Sequence, residues 1–89
     1  MPQHKLIDQF LDAAWAERGL SPATLEAYRE DLNALCAHET FGHRFPGLTQ
    51  ADILSYLAER LKGGAAVSSV TRQLSATRRF YAWALTHGE

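Results

Sequence analysis

The sequence predicts a small all-α domain built from four helices. Three observations predict it. With 89 residues, 46% of them hydrophobic and only three prolines, the chain suffices for one core and is too apolar for a disordered tail. Apolar residues recur at three- and four-residue spacings through four stretches. Around those stretches stand residues that start or stop helices: Gly19, Ser21-Pro22, Thr49 and Gly63-Gly64. A single domain over residues 1–89 is expected.

The first helix is expected over residues 4–18, with Leu6, Ile7, Phe10, Leu11 and Ala14 on one face and Gly19 as its stop. The second opens at Ser21-Pro22. There the serine hydroxyl accepts a bond from an orphan amide, and proline fits the first helical position because its missing N–H has no partner there anyway. Leu25, Tyr28, Leu32, Leu35 and Cys36 share its buried face, and Glu26, Arg29, Glu30 and Asn33 its wet one, so it runs to Ala37 or His38. Residues 39–48 hold Gly42, Pro46 and Gly47 without a sustained period and read as a connection. A third helix starts at Thr49, which forms a capping-box-like pattern with Asp52, buries Ile53, Leu54, Leu57 and Leu61, and ends at Gly63-Gly64. The fourth, capped by Ser68 or Ser69, reaches about Thr86 and turns Val70, Leu74, Thr77, Tyr81, Ala84 and Leu85 to the core.

Several function classes are excluded or disfavoured. No apolar run approaches the roughly 18 residues of a bilayer span, so no membrane partner is expected and the protein reads as soluble and cytoplasmic. One cysteine, Cys36, allows no internal disulfide and fits core packing in a reducing compartment. His38 and His43, with only Glu39 close by, make a poor metal site, and no cofactor is expected. There is no phosphate-cradling glycine loop, HExxH pair or matched carboxylate pair. Tyr28, Tyr56 and Tyr81 lie in helical patterns without an Arg and His cluster to activate a phenol, so each reads as a core or edge residue and no catalytic residue is assigned.

Charge gives the first positive indication of a partner. The net charge is −1, but residues 1–60 hold five basic against nine acidic residues, whereas residues 61–89 hold Lys62, Arg72, Arg78 and Arg79 against Glu89 alone. On the fourth helix Ser68, Arg72, Ser75 and Arg79 follow at four, three and four residues, with Thr71 and Arg78 along the edge. They form a polar line opposite the apolar stripe. Guanidinium groups pair with phosphates or fork onto guanine, and small hydroxyls allow close approach to a nucleic-acid backbone. Amides near Ser68 and Ser69 at the helix start add partial positive charge. The plainer alternative is a solvated face, but ordinary surfaces mix signs, and no acid lies between Gly63 and Gly88. A different alternative is a helical protein-interaction module using the aromatic end around Phe80, Tyr81 and Trp83. A helix-turn-helix regulator is disfavoured by connections longer than that motif's turn.

At this point the chain resembles a known family. The opening LIDQFLDAAWAERGLSPATLEAYREDL, with Ser21, Thr24, Leu25, Tyr28 and Asp31-Leu32, and the later LAERLKGGAAVSSVTRQLSATRRFYAWAL resemble the amino-terminal core-binding, SAM-like domain of phage integrase and Xer tyrosine recombinases, most of all the XerD type. The resemblance spans about residues 6–85; residues 37–48 depart from it. It implies a four-helix SAM-like unit that clamps one face of double-stranded DNA through its second and fourth helices. By position, the DNA-facing residues fall on Thr24, Ser68, Ser69, Arg72 and Gln73, with Arg79 a further phosphate contact. It also implies a parent that cuts and rejoins DNA, in chromosome dimer resolution or in integration and excision, alongside other recombinase subunits in a synaptic complex. Its catalytic groups would reside in a separate carboxy-terminal domain absent from this chain.

Overall fold

The computed structural model describes residues 5–88, and among these it contains four α-helices: α1 (Lys5–Arg18), α2 (Pro22–Cys36), α3 (Gln50–Lys62) and α4 (Val67–Trp83). A 3₁₀ turn at Gly42–Arg44 lies in the connection before α3, and a wider π-type turn, Ala84–Gly88, follows α4. The expected start of the first helix at His4 lies outside the described residues.

Local signals explain most of the boundaries. Gly19 stops α1 with φ 62°, a left-handed conformation that costs a Cβ-bearing residue more than glycine. Ser21 caps α2: its hydroxyl accepts from the Thr24 N–H at 3.2 Å, and Pro22 follows in the first turn. Thr49 and Asp52 close a reciprocal capping box at α3. The Asp52 N–H donates to Thr49 Oγ1 at 3.1 Å, and the Thr49 N–H donates to Asp52 Oδ2 at 3.0 Å. Helix α4 corrects the expected serine cap, because it begins at Val67 with Ala66 in the cap position and no side-chain bond there. Ala65 packs against the core, so the chain has already turned in before either serine is reached.

One core joins all four helices among the described residues. Ile7, Phe10 and Leu11 of α1 meet Tyr28, Leu32 and Leu35 of α2, Tyr56 and Leu57 of α3, and Val70, Ala76 and Phe80 of α4. Phe80 is its centre, edge-on to Phe10 at 5.6 Å and stacked on Phe45 at 5.3 Å. Full burial of such a side chain contributes about 1.5–3 kcal/mol. The connection before α3 is therefore structural, contributing Phe45 and Leu48 to the core. It is also stitched at its start. His38 Nδ1 accepts from the Thr40 and Phe41 N–H groups at 3.0 and 3.3 Å, which leaves Nε2 to donate to Glu59 Oε1 at 2.8 Å.

The buried faces of α3 and α4 are rotated from the expected ones. Leu54 and Leu61 are 52% and 45% exposed, while Tyr56 and Leu57 are buried. On α4 Gln73, Ala76 and Phe80 complete the stripe begun by Val70 and Thr77, and Leu85, 86% exposed, falls in the turn after the helix. The two faces meet through a hydrogen bond: Gln73 Nε2 donates to Tyr56 Oη at 3.1 Å, so two polar residues enter the core as partners. Among the described residues no helix is long and apolar enough to cross a membrane.

Candidate nucleic-acid interface

Helix α4 carries two faces, and its outward one is the candidate site. Ser68, Thr71, Arg72, Ser75, Arg78 and Arg79 are all exposed, as the residue spacing predicts. The helix contains no acidic residue from Val67 to Trp83. Its first turn also lacks a side-chain cap bond, so the orphan backbone N–H groups near Ser68 and Ser69 are not satisfied by a cap residue.

The three arginines of this face are not equivalent. Arg78 and Arg79 make no ion pair among the described residues, so their charge faces solvent. Arg72 is paired. Its Nε donates to Asp31 Oδ2 at 2.9 Å and its Nη2 to Asp31 Oδ1 at 2.8 Å, a side-on fork that ties α4 to α2. The hydrogen bonds to Asp31, followed by the attraction of that carboxylate, hold the Arg72 guanidinium above its ordinary range, against a smaller opposing effect of desolvation.

Gln73, expected from the resemblance to face DNA, is turned inward and is 0% exposed. Its amide is fully engaged: Nε2 donates to the Asp31 carbonyl oxygen at 2.9 Å as well as to Tyr56, and Oε1 accepts from Arg60 Nη1 at 2.6 Å. A side chain held at three points beneath the helix does not reach a groove. Its place is under the surface, holding α4 against α2 and α3. Ser69 is half-buried beside Ser68. Thr24 is half-buried at the start of α2, where its hydroxyl oxygen accepts from Ser21 Oγ at 3.0 Å. Among the described residues no hydrogen bond joins Thr24 to the α4 line; the link between α2 and α4 runs through Asp31, Arg72 and Gln73.

Residue spacing had a signal for Asp31 and Gln73. Asp31 lies three residues after Tyr28 and four before Leu35, inside the apolar arc of α2. Gln73 stands in the same relation to Val70 and Thr77 on α4. A polar residue in such an arc is a buried group awaiting a partner. At the aromatic end Phe80 is wholly buried, and Trp83, half-buried, packs on Phe10 and Phe80 at 5.9 and 6.1 Å.

The profile of the phage integrase, N-terminal SAM-like domain matches residues 7–88. The chain belongs to that family. Over 87 residues it is 45% identical to tyrosine recombinase XerD of Pseudomonas aeruginosa, spanning 97% of this chain and 29% of that protein. It is 48% identical over 79 residues to XerD of Yersinia pestis, spanning 85% of this chain and 26% of that protein. With tyrosine recombinase XerC of Xylella fastidiosa it shares 37% over 87 residues, 94% of this chain and 29% of the relative. The chain thus spans less than a third of the length of these recombinases. No solved structure matches the chain. The all-α, four-helix architecture is the one expected of this family from the sequence.

Proposed function

We propose that this SAM-like domain grips double-stranded DNA through the outward face of α4, as the non-catalytic part of a site-specific tyrosine recombinase of the Xer type. The observation that carries the reading is the pair of exposed arginines without an ion pair among the described residues, Arg78 and Arg79, in line with Ser68, Thr71 and Ser75 on a helix without acids. Such a face provides mobile cations for phosphate oxygens and small hydroxyls that let the duplex backbone come close. Ser68, Ser69 and Arg79 are assigned to contact, with Thr24 at the start of α2 as a second point of attachment. Arg72 also faces the duplex. Gln73 is reassigned from contact to support.

Strand cleavage and rejoining are assigned to a separate catalytic domain of the parent, acting with further recombinase subunits in chromosome dimer resolution or in integration and excision. The similarity to tyrosine recombinases XerD and XerC supports that assignment.

The test is the salt dependence of duplex binding. Removing one phosphate-neutralising side chain reduces the slope of log K against log salt by about 0.9. The double variant Arg78→Ala, Arg79→Ala is expected to bind more weakly at low salt with a slope reduced by roughly one to two. Affinity and slope equal to those of the unaltered chain would contradict the assignment of this face.

A further inference from the structure

Resting on the DNA-binding reading, we infer that Arg72 reads a guanine in the major groove and that Asp31 is the positioning residue that aims it. The basis is the geometry of one ion pair. Arg72 uses its Nε and Nη2 edge on Asp31, at 2.9 and 2.8 Å. A guanidinium held on that edge keeps its end-on edge free, where one N–H of Nη1 and the second of Nη2 run parallel. Two parallel donors match the O6 and N7 acceptors that guanine presents in the major groove. The pair is also placed for this: the Arg72 side chain is 46% exposed whereas that of Asp31 is 6% exposed. The carboxylate lies behind the guanidinium, and the free edge belongs to the exposed partner.

Charge distinguishes this role from a phosphate contact. Asp31 cancels most of the Arg72 charge as seen from a phosphate, and at close range a phosphate also meets the carboxylate's repulsion. A neutral base edge needs directed N–H donors rather than net charge, and those survive pairing. The division of labour on α4 follows: Arg78 and Arg79, without ion pairs, supply charge, and Arg72, paired, supplies direction. The mounting is rigid as well. Gln73, next in sequence, donates to the Asp31 carbonyl oxygen at 2.9 Å and is anchored to Tyr56 and Arg60, so both ends of the pair are fixed to the core. A pre-aimed side chain loses less freedom on binding.

The test uses the chain with a pool of duplexes randomised across its target, followed by paired measurements on the enriched duplex and on one with the enriched guanine pair replaced by an adenine pair. The unaltered chain is expected to enrich one guanine, and 7-deazaguanine at that position, which lacks the N7 acceptor, reduces the preference. Arg72→Lys keeps the charge but not the fork, and Asp31→Asn keeps the shape but not the clamp. In both, the ratio of affinities for guanine and adenine duplexes falls roughly tenfold. Arg72 is half exposed, so the lysine variant remains informative if Asp31→Asn unfolds. The inference is overturned if no guanine is enriched, if the ratio is unchanged in Arg72→Lys, or if Arg72→Ala weakens both duplexes equally while lowering the salt slope by about one, which marks a phosphate contact. Failure of the folded, unaltered chain to bind any duplex at low salt overturns the DNA-binding reading itself, and the inference with it.

Discussion

Replacing Gln73 with methionine separates a buried support from a surface contact. Methionine has nearly the same length and keeps the volume, so the change removes hydrogen bonds with little effect on packing. The variant lacks the donations to the Asp31 carbonyl and to Tyr56 Oη and the acceptance from Arg60. Tyr56 is 4% exposed and has little access to replacement water, whereas Arg60 is half-buried and recovers part of its deficit from solvent. An unsatisfied buried polar group costs about 1–3 kcal/mol, and a bond to a charged group contributes about 1.5–3 kcal/mol. Allowing for Arg60 resolvation, the net destabilisation is about 2–4 kcal/mol. For a domain of this size that lowers Tm by roughly 10–30 °C. Circular dichroism during heating and urea titration reads the change, with Tyr56→Phe and the double variant as controls. The two changes should couple by at least about 0.5 kcal/mol. A destabilisation below about 1 kcal/mol with no coupling, together with weaker DNA binding, would falsify the support role and return Gln73 to the interface.

The remaining predictions address the connection, the α3 cap and a half-buried phenol. Gly42→Ala should destabilise the fold by about 1–3 kcal/mol in chemical denaturation, because its Cβ is driven into the Cys36 carbonyl, a backbone group that cannot swing aside. Thr49→Ala removes half of the capping box and should cost about 1 kcal/mol, with faster amide exchange confined to the first turn of α3. Burial pushes the Tyr81 phenol up to about 12, a backbone hydrogen bond at Leu48 partly opposes this, and Asp52 adds a smaller upward effect. Because the folded pKa lies above the usual value of about 10, this contribution to stability is whole below pH 10 and is lost as pH rises towards 12. Ultraviolet titration of the folded chain should show a late phenolate step that Tyr81→Phe abolishes.

Local signals were legible in the sequence, and partnerships between distant residues were not. Ser21-Pro22, Thr49 with Asp52, and Gly19 act within a turn of themselves, and each behaves in the structure as the residue pattern predicts. The faces of α3 and α4 depend instead on Gln73 meeting Tyr56, 17 positions away. A hydropathy stripe ranks both as less suited to burial than Leu54, Leu61 or Leu85, and it does not register the bonds that satisfy them inside: Gln73 to Tyr56 and to the Asp31 carbonyl, and Arg60 to Gln73. The connection reads as irregular because its order comes from the His38 ring gathering two backbone amides and from Phe45 stacking on Phe80, neither of which has a period. The outward line of Ser68, Arg72, Ser75 and Arg79 was legible because it follows from helix geometry alone. That Arg72 is clamped by an acid 41 residues earlier required the tertiary fold, and it changes the role of that arginine.

The central claim is that α4 meets DNA with its basic face, and amide and side-chain NMR during titration of the labelled chain with duplex DNA at low salt tests it most directly. The prediction is a set of shifts that saturates with DNA and weakens with salt, centred on Ser68, Thr71, Arg72, Ser75 and Arg79, with the Arg78 and Arg79 side chains among the most affected and buried Gln73 little moved. Shifts confined to Trp83 and the turn after α4, with the arginine face silent, would contradict it.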